Sequence, residues 1–476
     1  MERLSGIDAS FLYMETENVH LQIAFVMVCD GTELEGGCSY PHIVELLRAK
    51  TLNDSAFRRR LIRVPFDLSH PVWIDDPDYD IQRHVHRKIL SIGKATERQL
   101  GRAIGDIISR PLPKDRPLWA AWVIEGLEQN RFALMFKAHH AAMDGVAGTR
   151  LVRRLLDLQP ASSRPQQTLR VAGETLPKPK QLIGNAWQVR RHQILSFAKL
   201  LGSTVRGAYR VFNQNPIEEG AQQPRFLNAP ATHFNKRVGG NRDVDLVRLS
   251  LSQIKQVKNA LGCTVNDVVL GICGGVLRKY LLRHHDLPKK SLTVMVPISV
   301  HKPQENHEIA NHISSMWVSL GTHLDDPLER LQLIHSDTKR AKAELNAMGA
   351  DLLQDWAEYS QGGVFNAVVR LYSQWGLADK VTPHNLIVSN VPGPRETLYF
   401  GSAKVDSMFI LGPIMEAVGL NITLVSYGDT VGFSVHVDSD LVSDVEHISK
   451  LFIPELTQLL TLAKAENHSV NEVSEF

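Results

Sequence analysis

The 476-residue sequence is poor in cysteine and has no long run of apolar residues. Its four cysteines are Cys29, Cys38, Cys263 and Cys273, and no two of them have the CxxC spacing of a zinc or redox motif. They lie in or beside apolar segments, so we expect buried, reduced thiols. Charged residues interrupt every segment that could span a bilayer, and the first residues lack the pattern of a signal peptide. We therefore expect a cytoplasmic protein.

The sequence also lacks an excess of charge of either sign. Its 53 basic and 51 acidic residues give a formal net charge of +2, so no nucleic-acid partner is expected and any basic surface must be local. Hydrophobic residues make up 43% and charged residues 22%, which is typical of a globular protein. A chain of 476 residues is too long for one hydrophobic core, which predicts two domains.

Strand-like and helix-like segments alternate on both sides of a stretch of different composition. Short apolar runs at 21–29 and 132–138 predict buried strands. Residues 159–235 are rich in Pro, Gln, Arg and Lys, which predicts a linker. Further strands are predicted at 292–296, 315–320, 386–389, 422–425 and 431–437. The sequence thus predicts an α/β protein with one domain at 1–158, a linker at 159–235 and a second domain at 236–476.

Part of the linker, residues 181–212, has the spacing of an amphipathic helix. Between Thr175 and Ile217 there are seven Lys or Arg residues and no acidic residue. A basic amphipathic helix is typical of peripheral contact with an anionic membrane or a lipid droplet. The apolar side is also wide enough to pack between the protein's own domains, so both interpretations remain open.

A histidine pair follows the predicted strand 132–138. His139 and His140 are consecutive, and Asp144 and Gly145 lie four and five residues beyond His140. Because consecutive side chains at a strand end point to opposite sides, only one histidine can face a given cleft. Histidine is the side chain best suited to accept a proton near neutral pH, and Asp144 could hold the local geometry across a turn that Gly145 permits.

Less specific interpretations of this motif exist. A histidine is often structural, and an aspartate before a helix is often an N-cap. Two adjacent histidines form a poor chelate and no third ligand stands at a useful spacing, so no metal is expected. A second pair, His284 and His285 before Asp286, lacks the four-residue gap and the glycine, and we expect it to be exposed and inert.

The HHxxxDG pattern resembles the signature of the coenzyme-A-dependent acyltransferase superfamily. Four further elements narrow the resemblance to the bacterial wax ester synthase/diacylglycerol acyltransferase family. They are Leu4-Ser5-x-x-Asp8-x-x-Phe11, Pro117-Leu118-Trp119, Asn266-Asp267 and Ser389-Asn390-Val391-Pro392-Gly393-Pro394. The resemblance extends from the first residues to the C-terminal strands, and the linker is its least informative part.

This resemblance implies two chloramphenicol-acetyltransferase-like domains with mixed sheets, joined by a long linker, with an active-site tunnel between them. It implies transfer of a fatty acyl group from acyl-coenzyme A to a fatty alcohol or a diacylglycerol, with His140 as general base. Acyl-coenzyme A is a substrate, so no cofactor is expected. The sequence has no GxSxG, and no cysteine sits in a recognisable nucleophile context, which favours direct transfer without an acyl-enzyme.

The supporting motifs have both functional and structural interpretations. Asn266 and Asn390 are candidate donors to the oxyanion, with Asp267 beside them as a structural candidate. The candidates for substrate binding are Pro117, Leu118, Trp119, Pro392 and Gly393. Structurally, Pro117–Trp119 could be a packing turn, Thr264–Asp267 a capping box, and Asn390–Pro394 a rigid turn.

Two alternative functions are also compatible with the sequence. One is another enzyme of the same fold, such as a condensation domain that acts on carrier proteins. The other is a non-catalytic lipid-binding or lipid-droplet protein that uses the linker helix. The segment 352–375 could line a substrate channel, although we favour a core helix that its glycines weaken.

Overall fold

The computed structural model describes residues 1–34, 39–52, 54–91, 93–142, 154–160, 175–187, 229–299, 313–348, 375 and 382–473. Within these ranges the chain forms two six-stranded mixed sheets and a small three-stranded sheet, with helices packed against them. The architecture is the mixed α/β fold that the sequence predicts.

The first large sheet is central to the site. Its strands, in spatial order, are β12 (Tyr399–Phe400), β13 (Ala403–Leu411), β2 (Gln22–Asp30), β7 (Arg131–His139), β6 (Trp119–Glu125) and β5 (Val85–Ile89). All neighbours are antiparallel except β5 and β6, which are parallel. A separate small sheet contains β1 (Glu2–Arg3), β4 (Val72–Asp75) and β3 (Arg59–Ile62).

The second large sheet belongs entirely to the later part of the chain. Its order is β10 (Ile313–Ser319), β9 (Thr293–Ser299), β11 (Leu386–Val391), β14 (Leu420–Tyr427), β15 (Thr430–Asp438) and β8 (Arg242–Ser250). β11 is parallel to both β9 and β14, and the other pairs are antiparallel.

Helices cover the sheets. They are α1 (Gly6–Tyr13), α2 (Tyr40–Thr51), α3 (Ser55–Arg58), α4 (Glu97–Ile108), α5 (Leu251–Ala260), α6 (Val265–Arg283), α7 (Pro327–Met348), α8 (Val445–Ser449) and α9 (Phe452–Val473). In the described part of the chain, no single helix has the length and hydropathy to cross a membrane; α5 and α6 meet that test only as a pair bent by 101°.

Most of the predicted elements are confirmed. The seven predicted strands coincide with β2, β7, β9, β10, β11, β14 and β15. In addition, an apolar face from Val269 to Tyr280 is buried in α6, and Asp326 caps α7 by accepting from the Leu328 amide at 2.6 Å. Of the segment 352–375, with its two interpretations, only residue 375 lies within the described residues.

Strands from the later part of the chain complete the first sheet. β13 follows residue 236 in sequence, yet it pairs with β2 of the first sheet, with Met408 opposite Met27. Because β13 pairs along the side of β2 that faces away from β7, it satisfies backbone N–H and C=O groups of β2 that would otherwise be unpaired. The first large sheet therefore contains strands from both sides of residues 159–235, whereas the second contains only strands that follow residue 236.

A close helix–strand contact also joins the halves. A Cβ atom on Gly101 of α4 would lie 2.3 Å from the carbonyl oxygen of Val244, and one on Gly105 would lie 2.6 Å from that of Arg242. Without side chains at these two positions, α4 can lie directly on the edge strand β8. Arg98 of α4 adds hydrogen bonds to Asp243 at 2.8 Å.

Only the start of the predicted linker helix is described. Leu182 and Ala186 are buried and form a small apolar cluster with Val64. Trp187, the next residue, is 61% exposed. This end of the helix therefore packs on the first domain, whereas residues 188–212 lie outside the described part of the chain.

The remaining sequence predictions concern cysteines and the second histidine pair. Cys29, Cys263 and Cys273 are buried free thiols, as predicted, and Cys38 lies outside the described residues. His284 and His285 are exposed, as expected, although His284 also contacts Asp444 at 3.1 Å.

Candidate active site

The central strand β7 places the histidine pair. Its residues from Phe132 to His139 are all buried, and it lies between β2 and β6. His139 is the last residue of the strand, and His140 begins the following turn. Asp144 and Gly145 lie outside the described residues. The sheet thus fixes the backbone of the pair from both sides.

His140 is half-buried and contacts the N-terminal helix. Its imidazole stacks on Phe11, with ring centroids 3.9 Å apart and planes inclined by 21°. Its backbone amide donates to the Leu21 carbonyl at 2.9 Å. Burial lowers the pKa of His140 to about 4, against the opposing effect of its own backbone carbonyl. At neutral pH the imidazole is therefore uncharged and can accept a proton.

His139 has different surroundings. It is fully buried, and its Nδ1 accepts a hydrogen bond from the Ala141 amide at 3.0 Å. Its Nε2 lies 3.2 Å from Oε1 of Glu15. Burial would raise the pKa of Glu15, but His139 and Lys114 together lower it below its usual value. Glu15 is therefore an anion beside His139.

The N-terminal motif positions Phe11. The Ser5 hydroxyl caps α1 by accepting from the Asp8 amide at 3.1 Å. Leu4 is buried in one apolar cluster with α1, Leu118 and Ala141. The motif is thus a capped and anchored helix that carries an aromatic ring to His140. The sequence shows the motif, but it does not show which residue the ring contacts.

Pro117, Leu118 and Trp119 are all buried beside the histidine pair. The Leu118 carbonyl accepts from the His139 amide at 3.0 Å. Trp119 donates its Nε1–H to the Phe57 carbonyl at 2.7 Å. These contacts secure the start of β6 against the end of β7.

Asn266 and Asp267 lie in the first turn of α6. Thr264 and Asp267 form the predicted capping box, in which the Asp267 amide donates to the Thr264 hydroxyl at 3.2 Å. Buried Asp267 also contacts His335 of α7 at 2.8 Å and Thr338 at 2.7 Å. Burial would raise the pKa of Asp267, but these partners lower it overall. Asp267 thus joins α6 to α7, while Asn266 beside it is half-buried.

The Asn390–Pro394 segment begins in the last two residues of β11 and continues beyond the end of the strand. Asn390 lies opposite Leu424 of β14 and is half-buried, whereas Pro392 is exposed. The Gly393 amide donates to the Ser426 hydroxyl at 3.1 Å. A Cβ atom at Gly393 would lie 1.9 Å from the Ser426 carbonyl oxygen. The backbone therefore approaches β14 so closely that only glycine fits.

The histidine pair lies in the first sheet, whereas the Asn266 and Asn390 motifs lie in the second half, at the start of α6 and the end of β11. Two mixed sheets with a histidine pair at the end of a central strand define the class: a mixed α/β protein of the chloramphenicol-acetyltransferase-like fold. A starter condensation domain of rhizomide synthetase shares this fold, with a TM-score of 0.52 over 97% of this chain and 94% of its own, at 12% identity.

Comparison with known families narrows the class. The profile of the wax ester synthase/diacylglycerol acyltransferase catalytic domain matches residues 4–269, and that of the WS/DGAT C-terminal domain matches residues 309–460. This chain therefore belongs to the wax ester synthase/diacylglycerol acyltransferase family, as the motifs predict, and is an O-acyltransferase.

Individual relatives agree with this assignment. A Mycobacterium tuberculosis protein named "Putative diacyglycerol O-acyltransferase" is 34% identical, over 97% of this chain and 90% of its own length. O-acyltransferase WSD of Acinetobacter baylyi is 31% identical over 79% of this chain and 81% of its own. The solved wax ester synthase/diacylglycerol acyltransferase of Marinobacter aquaeolei has a TM-score of 0.69 and 25% identity, covering 98% of this chain and all of that one (100%).

Proposed function

We propose that this chain transfers a fatty acyl group from acyl-coenzyme A to the hydroxyl of a long-chain alcohol, a diacylglycerol or both, with His140 as general base. The name of one relative supports diacylglycerol as acceptor, and the family description, wax ester synthase/diacylglycerol acyltransferase, supports both acceptors. The observation that carries the role of His140 is its position at the end of β7, stacked on Phe11. Burial there lowers its pKa, which favours the uncharged imidazole that a general base needs.

The proposed reaction needs no acyl-enzyme. His140 removes the hydroxyl proton while the alcohol oxygen attacks the thioester carbonyl. The tetrahedral intermediate then collapses to the ester by breaking the C–S bond, and the departing coenzyme A thiolate takes from His140 the proton that came from the alcohol. General base catalysis accounts for roughly 10²–10⁴ of the rate, so positioning and oxyanion stabilisation supply the rest.

The burial of Nδ1 in His140 indicates that Nε2 is the ring atom that accepts the proton. Nδ1 is buried and has no well-formed hydrogen-bond partner among the described residues. Because His140 as a whole keeps some exposed surface, other atoms must provide that exposure. A substrate would therefore reach the ring from a side other than Nδ1.

The proposal also includes donors to the oxyanion, a residue that holds the turn after His140, and the place where the substrates meet. Asn266 and Asn390 are the proposed donors to the oxyanion, and Asp144 would hold the turn after His140. The substrates would meet in a tunnel between the two domains. Since the acceptors are insoluble, we also propose peripheral contact with a membrane or lipid droplet from the cytoplasmic side.

A turnover assay tests the proposal. The full chain is incubated with palmitoyl-coenzyme A and either hexadecanol or dioleoylglycerol, and both free thiol and ester are measured. We expect ester and thiol in equal amounts, and a loss of at least 100-fold in His140→Ala. His285→Ala, in the exposed second pair, is the matched control. The proposal fails if the wild type forms no ester, or if His140→Ala retains full turnover.

The same assay separates the alternatives. A lipid-binding protein would release no thiol, and a condensation enzyme would need an acceptor carried on a protein. Thiol release without ester would indicate hydrolysis of the thioester rather than acyl transfer.

A further inference from the structure

A short N-terminal segment contacts both histidines of the motif. Phe11 of α1 stacks on His140, and Glu15, two residues beyond the end of α1, lies 3.2 Å from Nε2 of His139. The segment that supports the candidate base thus also determines the surroundings of the neighbouring histidine. The family motifs identified in the sequence include Phe11 but not Glu15.

The hydrogen bond at Nδ1 indicates the tautomer of His139. A backbone amide can only donate, so the bond from Ala141 requires Nδ1 of His139 to be unprotonated. The uncharged ring then carries its proton on Nε2, which faces Oε1 of Glu15. The approach departs from the ideal hydrogen-bond direction, but a carboxylate at this distance still favours the tautomer with a proton on Nε2.

The same bond shapes the turn that carries His140. The Ala141 amide is tied to the His139 ring, and the Ala142 amide donates to the His139 carbonyl at 2.9 Å. His140 lies between these two tied positions. If the His139 ring rotated or changed tautomer, the Ala141 amide would lose its acceptor and the turn would be free to relax.

Glu15 is itself held in place. Its side chain is only 9% exposed, and its Oε2 is paired with the Lys114 ammonium. A buried carboxylate with two partners is costly to move, because moving it would leave a buried charge unpaired. The Glu15 carboxylate is therefore held at one position beside the His139 ring.

We propose that Glu15 is a positioning residue that holds His139 in the tautomer whose Nδ1 binds the Ala141 amide, and thereby fixes His140 for proton transfer. This inference rests on the proposed role of His140. Glu15 does not touch the substrate. A displacement of about 1 Å at a catalytic group can cost roughly 100-fold in rate.

The first test compares variants of Glu15 in steady-state kinetics. We expect Glu15→Ala to lower kcat by about 10- to 100-fold with little change in KM for acyl-coenzyme A, because only the base is misplaced. Glu15→Gln keeps an oxygen that can accept from Nε2 and should recover most of kcat. Glu125→Ala is the matched control, since Glu125 is similarly buried and pairs with Arg87 at the far end of β6.

A double-mutant cycle tests whether Glu15 acts through His139. Asn at position 139 can still accept from the Ala141 amide but does not reach Glu15 as an imidazole does. In the His139→Asn background, Glu15→Ala should change kcat by less than twofold. Equal losses in both backgrounds would overturn the proposal, as would a kcat within twofold of wild type in Glu15→Ala, or no recovery in Glu15→Gln.

Hydrogen exchange gives a reading that does not depend on turnover. The Ala141 amide should exchange faster in Glu15→Ala than in the wild type, and at the wild-type rate in Glu15→Gln and Glu125→Ala. Unchanged exchange in Glu15→Ala would overturn the proposal even if the wild type formed no ester. If Glu15→Ala does not fold, Glu15→Leu replaces it, because leucine keeps the volume and accepts no hydrogen bond.

Discussion

Phe11 and His140 stack face to face, with 3.9 Å between ring centroids, although 129 positions separate them in the chain. The contact covers one face of the imidazole, and burial of this ring is the main cause of its lowered pKa. The N-terminal motif is therefore part of the environment that keeps the candidate base uncharged.

Removal of the Phe11 ring should change the pH dependence of kcat/KM. With a pKa of about 4, wild-type His140 stays uncharged down to weakly acidic pH. In Phe11→Ala the ring is more hydrated, so its pKa should move up towards 6.5 and kcat/KM should fall between pH 7 and pH 5.5. Phe11→Leu, which keeps an apolar cover, is the control. Identical pH profiles for Phe11→Ala and wild type would contradict this expectation.

Asn266 and Asp267 are adjacent but should respond differently to substitution. If Asn266 binds the oxyanion, Asn266→Ala should lose about 3–4 kcal/mol of transition-state stabilisation, seen mainly in kcat. Asp267→Ala removes the capping box and the bonds to His335 and Thr338. It should therefore lower the free energy of unfolding by roughly 1–3 kcal/mol in urea titrations. Normal turnover in Asn266→Ala would move the donor to Asn390 or to a backbone amide.

Gly393→Ala should be destabilising because its Cβ would clash with the Ser426 carbonyl oxygen. We expect a loss of roughly 1–3 kcal/mol in the free energy of unfolding, since the backbone itself must shift. Gly184→Ala is the control: a Cβ there meets no atom within 4 Å, and alanine favours a helix. Equal stability of Gly393→Ala and wild type, measured by thermal denaturation, would show that the segment relaxes freely.

Buried histidines should make the fold sensitive to acid. Burial lowers the pKa of His84 and His384 to about 4 and that of His436 to about 3. Between these values and the unfolded pKa near 6.5, the unfolded chain binds more protons than the folded one. Stability is therefore complete above about pH 6.5 and falls as the pH drops towards 4, by up to roughly 1.4 kcal/mol per histidine and per unit of pKa shift.

Urea titrations at pH 7.5, 6.0 and 5.0 measure this effect. His436→Asn, which cannot gain a proton, should show a smaller loss between pH 7.5 and pH 5.0 than the wild type. A wild-type stability that does not change over this range would contradict the assignment of these histidines as buried and uncharged.

Flotation with vesicles that contain anionic phospholipid tests the linker helix. If the helix lies on the membrane, substitution of Arg190, Arg191, Arg206 and Arg210 by Gln should reduce flotation, because each basic residue near the surface contributes about 1 kcal/mol. The anchoring of Leu182 and Ala186 on the first domain would remain intact. Equal flotation of the two proteins, or none by either, would leave the helix as a contact between domains.

The sequence by itself determined the regular elements and the motif that carries the chemistry. Hydrophobic periodicity is local, so runs such as 132–138 and 386–389 could be recognised as strands without knowledge of their partners. The capping box at Thr264 and the histidine pair are also short-range patterns. The family assignment followed from five such motifs in order along the chain.

Only the tertiary structure decided which distant segments meet. No local pattern indicates that β13 leaves its own half to pair with β2, because pairing depends on which edges lie side by side after folding. The same holds for Phe11 on His140 and Glu15 on His139, since each contact joins residues more than 100 positions apart. An aromatic ring or a glutamate is ordinary in sequence, and it gains a role at the site only when the folded sheet brings the end of β7 to the N-terminal helix.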